Sequence, residues 1–307
     1  MPGWKRNSGP GTTVTRAPDE FPPEPAPGQP AIDRPVDAHA AGGAVSGYTV
    51  DAFHNGKFFL VQPADTGHRA GMDAMLLAAT VPDGASGVLA DLGAGAGAAG
   101  LAAINRLPGL SAVLIERAPV MADCARRSLA LAGNAHLAPR ARVIEADVTL
   151  QGRQRLAAGL ADQAFDYVIL NPPFNAGADR KTPDPLKAEA HAMESQDLFE
   201  RWLRTAAAIL KPGGQVSIIA RPESMSGILA ALGNRFGGVE ITPVVPRPGD
   251  DAIRILVTAI KGSRARMSLR DRILIHQGAG HVFSNEMNDL GNGRAAWPRR
   301  TKNRLPK

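Results

Sequence analysis

The sequence predicts an α/β protein built on a doubly wound sheet, mostly parallel with one antiparallel edge strand and preceded by an N-terminal β-hairpin. Apolar runs of strand length alternate with stretches of helical periodicity through the middle of the chain, a pattern typical of doubly wound sheets. A glycine-rich stretch at residues 93–100 follows one such strand and opens a helix. The last two strand runs are joined only by residues 246–251, which are too few for a crossover helix and therefore predict an antiparallel pair.

The predicted elements follow in order along the chain. Residues 47–62 form the hairpin, because Asn55-Gly56 favours a type I′ turn, and residues 68–79 form a polar loop that runs into a short helix. Strands are expected at residues 88–92, 112–116, 141–146, 165–170, 215–220, 240–245 and 252–260. Helices are expected at residues 98–106, 119–132, 188–210 and 223–236. The helix at 188–210 carries one apolar stripe, which includes Trp202 and indicates a core-facing side.

Both ends of the chain are expected to be disordered. Residues 1–46 are rich in Pro, Gly and Ala and hold few large apolar side chains, a composition that does not support a packed core. Residues 289–307 are interpreted as a basic disordered tail. The folded domain is therefore placed at residues 47–288.

The composition narrows the class of protein. The chain has no continuous apolar run of about 18 residues or more, so no transmembrane helix is predicted, and its N-terminus lacks the composition of a signal peptide. A cytoplasmic location is therefore expected, with no membrane partner. The single cysteine, Cys124, excludes an intrachain disulfide framework and a multi-cysteine zinc site, and no metal is expected.

The net charge of +6 is concentrated near the C-terminus. Residues 261–307 hold eleven Lys or Arg against three Asp or Glu, for +8, whereas residues 1–46 hold four against five and residues 47–260 hold 20 against 21. Such a basic end suits binding to the phosphates of a nucleic acid. A solvated tail explains the charge at least as well.

The glycine-rich stretch is a candidate ligand site. Glycine permits tight turns and lets backbone N–H groups approach a ligand closely, and the candidates here are Gly93, Gly95 and Gly97. Such a stretch also fits a nicotinamide dinucleotide site. The glycines alone therefore leave the cofactor open.

Three acidic residues favour one cofactor over the other. Asp91 stands directly before the glycines, where a carboxylate repels a pyrophosphate and suits positive or donor groups. Glu116 ends the next strand, in a position to accept two ribose hydroxyls, and Asp147 follows the third strand, in a position to accept an adenine amino group. A cationic nucleoside such as S-adenosylmethionine satisfies all three acids.

The tetrapeptide Asn171-Pro172-Pro173-Phe174 ends the apolar run 165–170. Proline has no N–H and a fixed φ, so the strand cannot continue and a rigid loop follows. Ligands in open parallel sheets bind at such carboxyl ends of strands. An ordinary Pro-Pro turn is the alternative, but the glycines and acids in register favour a loop that contributes to a ligand site.

Together these stretches resemble class I S-adenosylmethionine-dependent methyltransferases, with their Rossmann-like sheet, and Asn-Pro-Pro-Phe narrows the resemblance to the amino-methylating branch. The resemblance implies that the Asn171 side-chain oxygen and the Pro172 carbonyl accept hydrogen bonds from a substrate NH2 group. It also implies that Phe174 stacks on the target base. Phe at this fourth position is common among adenine-specific members, whereas members that methylate glutamine in release factors look like Asn-Pro-Pro-Tyr.

Further stretches are similar to bacterial tRNA1(Val) adenine-37 N6-methyltransferases. They are residues 71–78 after the hairpin, Ala190-His191, residues 210–214 and 221–223, and the late strand that runs into residues 261–265. The match implies that Gly71 and Asp73 help to close the cofactor pocket. It implies as substrate an adenine in the anticodon loop of a tRNA, and we expect a monomer or weak dimer.

Candidate contacts to the RNA phosphates are Arg69, Lys181, Lys187, Arg264 and Arg266, although a solvated surface charge without such a role is the better explanation for any one of them. Three other functions stay open on the sequence: a release-factor glutamine N5-methyltransferase, a nicotinamide-dependent dehydrogenase, and a non-catalytic RNA-binding protein.

Overall fold

The computed structural model describes residues 47–64, 69–172, 197–278 and 280–300 of the 307-residue chain. The strands in these ranges are β1 (Tyr48–Phe53), β2 (Phe58–Pro63), β3 (Gly87–Leu92), β4 (Leu110–Glu116), β5 (Ala141–Glu145), β6 (Phe165–Leu170), β7 (Leu210–Ala220), β8 (Phe236–Val245), β9 (Arg254–Lys261), β10 (Ser268–Leu269) and β11 (Ile273–Leu274). The helices are α1 (Met72–Ala79), α2 (Ala98–Arg106), α3 (Pro119–Ala130), α4 (Gly152–Ala157), α5 (Asp197–Ile209), α6 (Met225–Leu232) and α7 (Asn285–Gly291). Every predicted strand is present, and the part of the predicted helix at 188–196 lies outside the described residues.

The large sheet has the strand order β10-β8-β9-β7-β6-β3-β4-β5, and β11 pairs with β8 beyond the end of β10. The five neighbouring strands β5, β4, β3, β6 and β7 are parallel, whereas β9 is antiparallel to both β7 and β8. The predicted fold class is confirmed, but the expectation that the antiparallel strand lies at the edge is wrong. The crossover through α6 leaves a gap between β7 and β8, and the short β8–β9 connection lets β9 fill it.

Alternate residues of the parallel strands face two different cores. Leu89 and Leu114 belong to one cluster with α1 and α2, whereas Ala90 and Val113 belong to another with α5 and α6. This period of two residues is the geometry of a pleated strand buried on both faces. It explains why these strands read as continuous apolar runs in the sequence. No helix in the described ranges is long and apolar enough to cross a bilayer.

The N-terminal hairpin is confirmed, but its turn differs from the expected two-residue Asn-Gly turn. Phe53 pairs with Phe58, so four residues form the loop. The left-handed backbone begins one residue earlier than expected, with φ of 50° at His54, 55° at Asn55 and 79° at Gly56. Asn and Gly tolerate this region readily, whereas at His54 the conformation must be held by its surroundings.

Side chains from the α3 region replace a missing strand partner of β2. The N–H of Phe59 donates to Asn134 Oδ1 at 2.9 Å, and Asn134 Nδ2 donates back to the carbonyl of Phe59. The N–H of Val61 donates to Ser128 Oγ at 2.8 Å. Because an unpaired edge leaves backbone groups unsatisfied, these bonds fix the hairpin on the body of the protein.

The buried His54 predicts a specific dependence of stability on pH. Burial, aided by the charges of Lys57 and Arg106, lowers the pKa of His54 to about 4. A histidine whose pKa is lowered in the folded state stays neutral there and takes up a proton on unfolding. Its presence therefore lowers the free energy of unfolding increasingly as pH falls from about 6.5 to about 4. We expect the free energy of unfolding of the wild type, relative to His54→Asn, to rise by roughly 3 kcal/mol between pH 4 and pH 7.

Asparagine tolerates the left-handed backbone at this position and does not titrate. Urea denaturation of both proteins at several pH values measures the difference, and subtracting the variant removes the pH dependence of every other group. A difference that stays constant from pH 4 to pH 7 would show that His54 titrates normally.

The expectation of disorder from residue 289 is wrong for residues 289–300. Helix α7 is capped by Ser284, whose hydroxyl accepts the N–H of Met287. Beyond it, the N–H of Trp297 donates to the carbonyl of Ala79 at 2.7 Å, and its indole Nε1 donates to Thr242 Oγ1 at 3.1 Å. These contacts order the segment because its polar groups find partners on α1 and β8. Residues 1–46 and 301–307, also expected to be disordered, lie outside the described residues.

Two arginines between residues 261 and 300 account for part of the C-terminal charge. Glu240 on β8 is buried, and both Arg270 and Arg299 lie against its carboxylate, at 2.9 and 3.5 Å. Arg299 also donates to Thr258 Oγ1 at 2.9 Å. A buried carboxylate left without partners would carry a large desolvation cost. These two arginines are therefore held by the fold and are not free surface charges.

Candidate active site

The carboxyl ends of β3 and β6 meet at the centre of the sheet. Leu92 pairs with Leu170, so Gly93 and Asn171 are the residues that directly follow a matched pair on strands about 5 Å apart. Strand order reverses here, since β4 continues the chain on one side of β3 and β6 lies on the other. Open α/β sheets bind ligands at such a switch point. The structure thus brings the glycine stretch and the start of Asn171-Pro172-Pro173-Phe174 to one place.

The glycines form a tight turn between β3 and α2. Gly93, Gly95 and Gly97 have φ of 71°, 56° and 93°, the left-handed region that other residues enter at a cost. The N–H groups of Gly93 and Ala94 both donate to the carbonyl of Ile115 at 2.9 Å. A Cβ on Gly93 would lie 2.6 Å from Cη2 of the buried Trp202. Both backbone geometry and packing therefore require glycine here, and Trp202 is a core residue.

Glu116 ties this turn to the next helix. Its carboxylate accepts the N–H of Gly95 through Oε2 and the N–H of Ala118 through Oε1, each at 2.8 Å. Each carboxylate oxygen has a second lone pair. Glu116 can therefore accept two further donors, such as a pair of ribose hydroxyls, in the space beside the glycine turn.

Asp91 is 2% exposed, and Oδ2 accepts the N–H of Gly100 at 2.8 Å. Burial raises the pKa of Asp91 to about 7; the Gly100 hydrogen bond opposes this rise, and the charge of Glu116 adds to it. A buried acid with a raised pKa is stabilised in its ionised form by a nearby cation. A positively charged ligand beside the turn would supply that cation.

The remaining predicted cofactor residues lie at the same edge. Asp147 is half-buried, and its Oδ1 accepts the N–H of Thr149 at 2.7 Å. Gly71 is exposed and immediately precedes α1. Asp73, on the first turn of α1, forms an ion pair with Arg254 at the start of β9, with 2.8 Å between Nε and Oδ2. This ion pair uses part of the hydrogen-bonding capacity of Asp73 and joins the entrance of α1 to the sheet.

Gln62 is a residue that sequence reasoning missed. It is 1% exposed at the end of β2, and its Oε1 accepts the N–H of Ala70 at 2.7 Å. Its Nε2 donates to Asp51, which also binds Arg69. The hairpin thereby fixes the residues that lead into Gly71. The signal available in the sequence was a glutamine in an otherwise apolar strand, Phe58–Pro63.

The predicted substrate residues are only partly described. Asn171 is half-buried and Pro172 is buried at the end of β6, whereas Pro173, Phe174, Lys181 and Lys187 lie outside the described residues. Arg69 is at the same edge of the sheet and is paired with Asp51.

Arg264 and Arg266 lie elsewhere. The N–H of Gly238, near the start of β8, donates to the carbonyl of Ala265 at 2.8 Å, and β8 runs parallel to β7 through its pairing with β9. The two exposed arginines are therefore beside the amino edge of the sheet. They are not brought together with Asn171, and a contact with substrate there would involve a distant part of it.

The side chains at this edge of the sheet fit S-adenosylmethionine. Glu116 and Asp147 offer acceptors for hydroxyl and amino groups, and Asp91 suits a cation. A Cβ on Gly95 would meet only Met121 Cε at 3.6 Å, and a Cβ on Gly71 would meet nothing within 4 Å, so both glycines border open space. In the described ranges no group of three or more His, Cys, Asp or Glu side chains is arranged to hold a metal ion.

Known proteins are similar to this chain in sequence and in fold. A family model described as the methyltransferase small domain matches residues 66–243. A tRNA1(Val) (adenine(37)-N6)-methyltransferase from Porphyromonas gingivalis is 26% identical over 232 residues, which are 73% of this chain and 88% of that protein. A protein of the same name from Shewanella halifaxensis is 28% identical over 177 residues, 57% of this chain and 67% of that protein.

One solved structure is more similar in sequence. A predicted O-methyltransferase from Agrobacterium tumefaciens is 49% identical, with a TM-score of 0.65, over 75% of this chain and 100% of that chain.

Proposed function

The chain belongs to the methyltransferase small domain family, and on that premise we propose that it transfers a methyl group from S-adenosylmethionine to the exocyclic N6 amine of an adenine in tRNA. The observation that carries the proposal is the position of Asn171, which follows β6 directly beside the glycine turn after β3. The names of the relatives from Porphyromonas gingivalis and Shewanella halifaxensis support the same acceptor. Membership of this family removes the basis for a nicotinamide-dependent dehydrogenase.

Each residue has a role in this proposal. The bound cofactor supplies a methyl group on a positively charged sulfur. Glu116 would accept hydrogen bonds from the ribose hydroxyls, and Asp147 would accept one from the adenine amino group of the cofactor. Asp91 would balance the positive charge of the cofactor. Gly71 and Asp73 border the pocket from the side of α1, where Gln62 holds the backbone.

Asn171 and Pro172 orient the acceptor. The lone pair of an adenine N6 amine is delocalised into the ring, which makes the nitrogen a weak nucleophile. The Asn171 side-chain oxygen and the Pro172 carbonyl accept hydrogen bonds from its two N–H groups and draw the amine toward tetrahedral geometry, which exposes the lone pair. Transfer of the methyl group makes the nitrogen positively charged, and the nitrogen then loses one proton to solvent. Fixed acceptors and alignment of the two reactants lower the barrier. The next two residues of the tetrapeptide, Pro173 and Phe174, lie outside the described residues, and the proposal gives Phe174 the role of stacking on the base.

The Agrobacterium tumefaciens relative is named for O-methylation, which is a second candidate. A hydroxyl acceptor has one hydrogen and must lose it to a base before or during transfer. An amide oxygen and a peptide carbonyl are weak bases, but they match the two hydrogens of an NH2 group. The chemistry of Asn171 and Pro172 therefore favours an amine or amide. The glutamine side chain of a release factor also carries an NH2 group. An experiment must therefore distinguish this acceptor from adenine.

Labelled S-adenosylmethionine with either total tRNA or release factor tests the acceptor, and mass spectrometry of the digested nucleosides identifies the product. We expect label in tRNA and N6-methyladenosine among the nucleosides, and loss of that nucleoside from the tRNA of a deletion strain. Label on release factor alone, or a ribose-methylated nucleoside in place of N6-methyladenosine, would overturn the proposal.

We place the protein in the cytoplasm, with its tRNA substrate, as a monomer or weak dimer. Arg69, Lys181 and Lys187 are the proposed phosphate contacts nearest in sequence to the site.

A further inference from the structure

A cluster of three rings lies at the same edge of the sheet as Asn171. His276 and Phe283 are stacked, with ring centroids 5.5 Å apart and planes at 12°. His281 meets His276 edge to face at 6.0 Å and 88°. We call His276, His281 and Phe283 the ring cluster. Neither the sequence resemblance nor the active-site residues above account for it.

The strand pairing fixes where the ring cluster lies. β11 is parallel to β8, and the N–H of His276 donates to the carbonyl of Pro246, directly after β8, at 2.9 Å. Since β8 is parallel to β6 and β7, the ring cluster lies at the carboxyl edge. Four strand spacings, through β7, β9 and β8, separate it from β6, a lateral distance of roughly 20 Å.

Part of the ring cluster faces solvent. His281 is exposed, His276 and Phe283 are half-buried, and Val282 between them is 71% exposed. Arg247 holds the segment in place, because its Nη2 donates to the carbonyl of Gly280 at 3.1 Å. An exposed ring and an exposed aliphatic side chain on a tethered segment are a surface on which another planar group can stack.

We infer that the ring cluster is a stacking surface for an unpaired nucleobase of the RNA substrate, other than the base that is methylated. The inference rests on the proposed function, since it assumes an RNA at this edge. Sequence-tolerant RNA binding commonly stacks bases on aromatic side chains, including histidine.

The distance explains what such a contact does. A base held roughly 20 Å from Asn171 cannot be the target, but it fixes the position of the RNA strand relative to the site. The ring cluster therefore contributes to substrate affinity and to the choice of adenine, whereas Asn171 and Pro172 act on the amine itself.

Full-length variants test the inference by binding to a synthetic anticodon stem-loop RNA that carries the methylatable adenosine, measured by fluorescence anisotropy with S-adenosylhomocysteine present. We expect His281→Ala to bind about tenfold more weakly, and His281→Phe, which keeps the ring, to bind within about twofold of the wild type. His136→Ala is the matched control, because His136 is an exposed histidine on another part of the surface. Its affinity should equal that of the wild type.

Abasic substitution of single loop nucleotides locates the base. At one loop position other than the target, we expect the abasic RNA to bind the wild type more weakly than the intact RNA does. His281→Ala should bind both RNAs with the same affinity, because the variant and the abasic change remove the same contact. Equal affinity of His281→Ala and the wild type for the intact stem-loop would overturn the stacking surface. If the wild type nevertheless methylates adenine in tRNA, the proposed function still holds. If it methylates no adenine in tRNA, both the proposed function and the stacking surface are overturned.

Discussion

Replacing Asn171 with alanine is expected to lower kcat about 100- to 1,000-fold. The substitution removes one of the two acceptors that draw the substrate amine toward tetrahedral geometry, and comparable fixed groups in other enzymes contribute effects of this size. Cofactor affinity should change by less than about threefold, because the Asn171 side chain is assigned to the acceptor and not to the donor. Single-turnover methyl transfer to tRNA and calorimetric binding of S-adenosylhomocysteine measure the two quantities.

Asn171→Asp is the matched variant, since aspartate keeps an acceptor oxygen in the same place. It should retain more activity than Asn171→Ala while lacking the amide nitrogen. Unchanged turnover in Asn171→Ala would remove the role given to this residue. Equal loss in both variants would show that an acceptor oxygen at this position does not by itself restore the reaction.

Replacing Glu116 with alanine is expected to weaken the binding of S-adenosylhomocysteine about 100-fold. Two hydrogen bonds to a charged carboxylate are lost, each contributing about 1.5 kcal/mol or more. The N–H groups of Gly95 and Ala118 also lose their acceptor, which lowers the stability of the glycine turn. Calorimetric titration measures the affinity, and a thermal melt without ligand measures the stability separately.

Glu145→Ala is the control for this prediction. Glu145 is the residue of β5 paired with Glu116, but it is exposed and bound to Arg126 at the surface, with 3.0 Å between Oε2 and Nη2. Exposed ion pairs contribute about 1 kcal/mol or less, so affinity and stability should both remain close to those of the wild type. If Glu116→Ala binds S-adenosylhomocysteine within about threefold of the wild type, the role of Glu116 is limited to holding the turn.

Much of the fold was predictable because strand and helix periods are local. The run Phe165–Leu170 has the bounds that the sequence predicts, since two prolines end it and apolar residues fill it. The glycine turn was equally readable, because left-handed backbone at Gly93 and Gly97 excludes most other residues. The position of β9 was not readable, because a short connection predicts an antiparallel neighbour but not which side of the sheet it joins.

The candidate site divides in the same way. Asp91, Glu116 and Asn171 could be proposed as site residues because each stands at the end of a predicted strand, and parallel strands bring their carboxyl ends to one edge. Gln62 was missed because its partners, Asp51 and the N–H of Ala70, are known only once the hairpin is folded against the residues that precede α1. The ring cluster was missed because β11 and its pairing with β8 have no clear pattern in the sequence.

The sequence by itself determined the sheet class, the glycine turn, the acidic residues and the Asn171-Pro172 strand end, because each depends on residues close together in the chain. Only the tertiary structure decided that β9 lies inside the sheet, that Asp73 is bound to Arg254, 181 positions away, and that Trp297 orders the C-terminal segment against Ala79. The physical reason is that such contacts are chosen by complementary surfaces of distant segments, and no local period or spacing records which segments will meet.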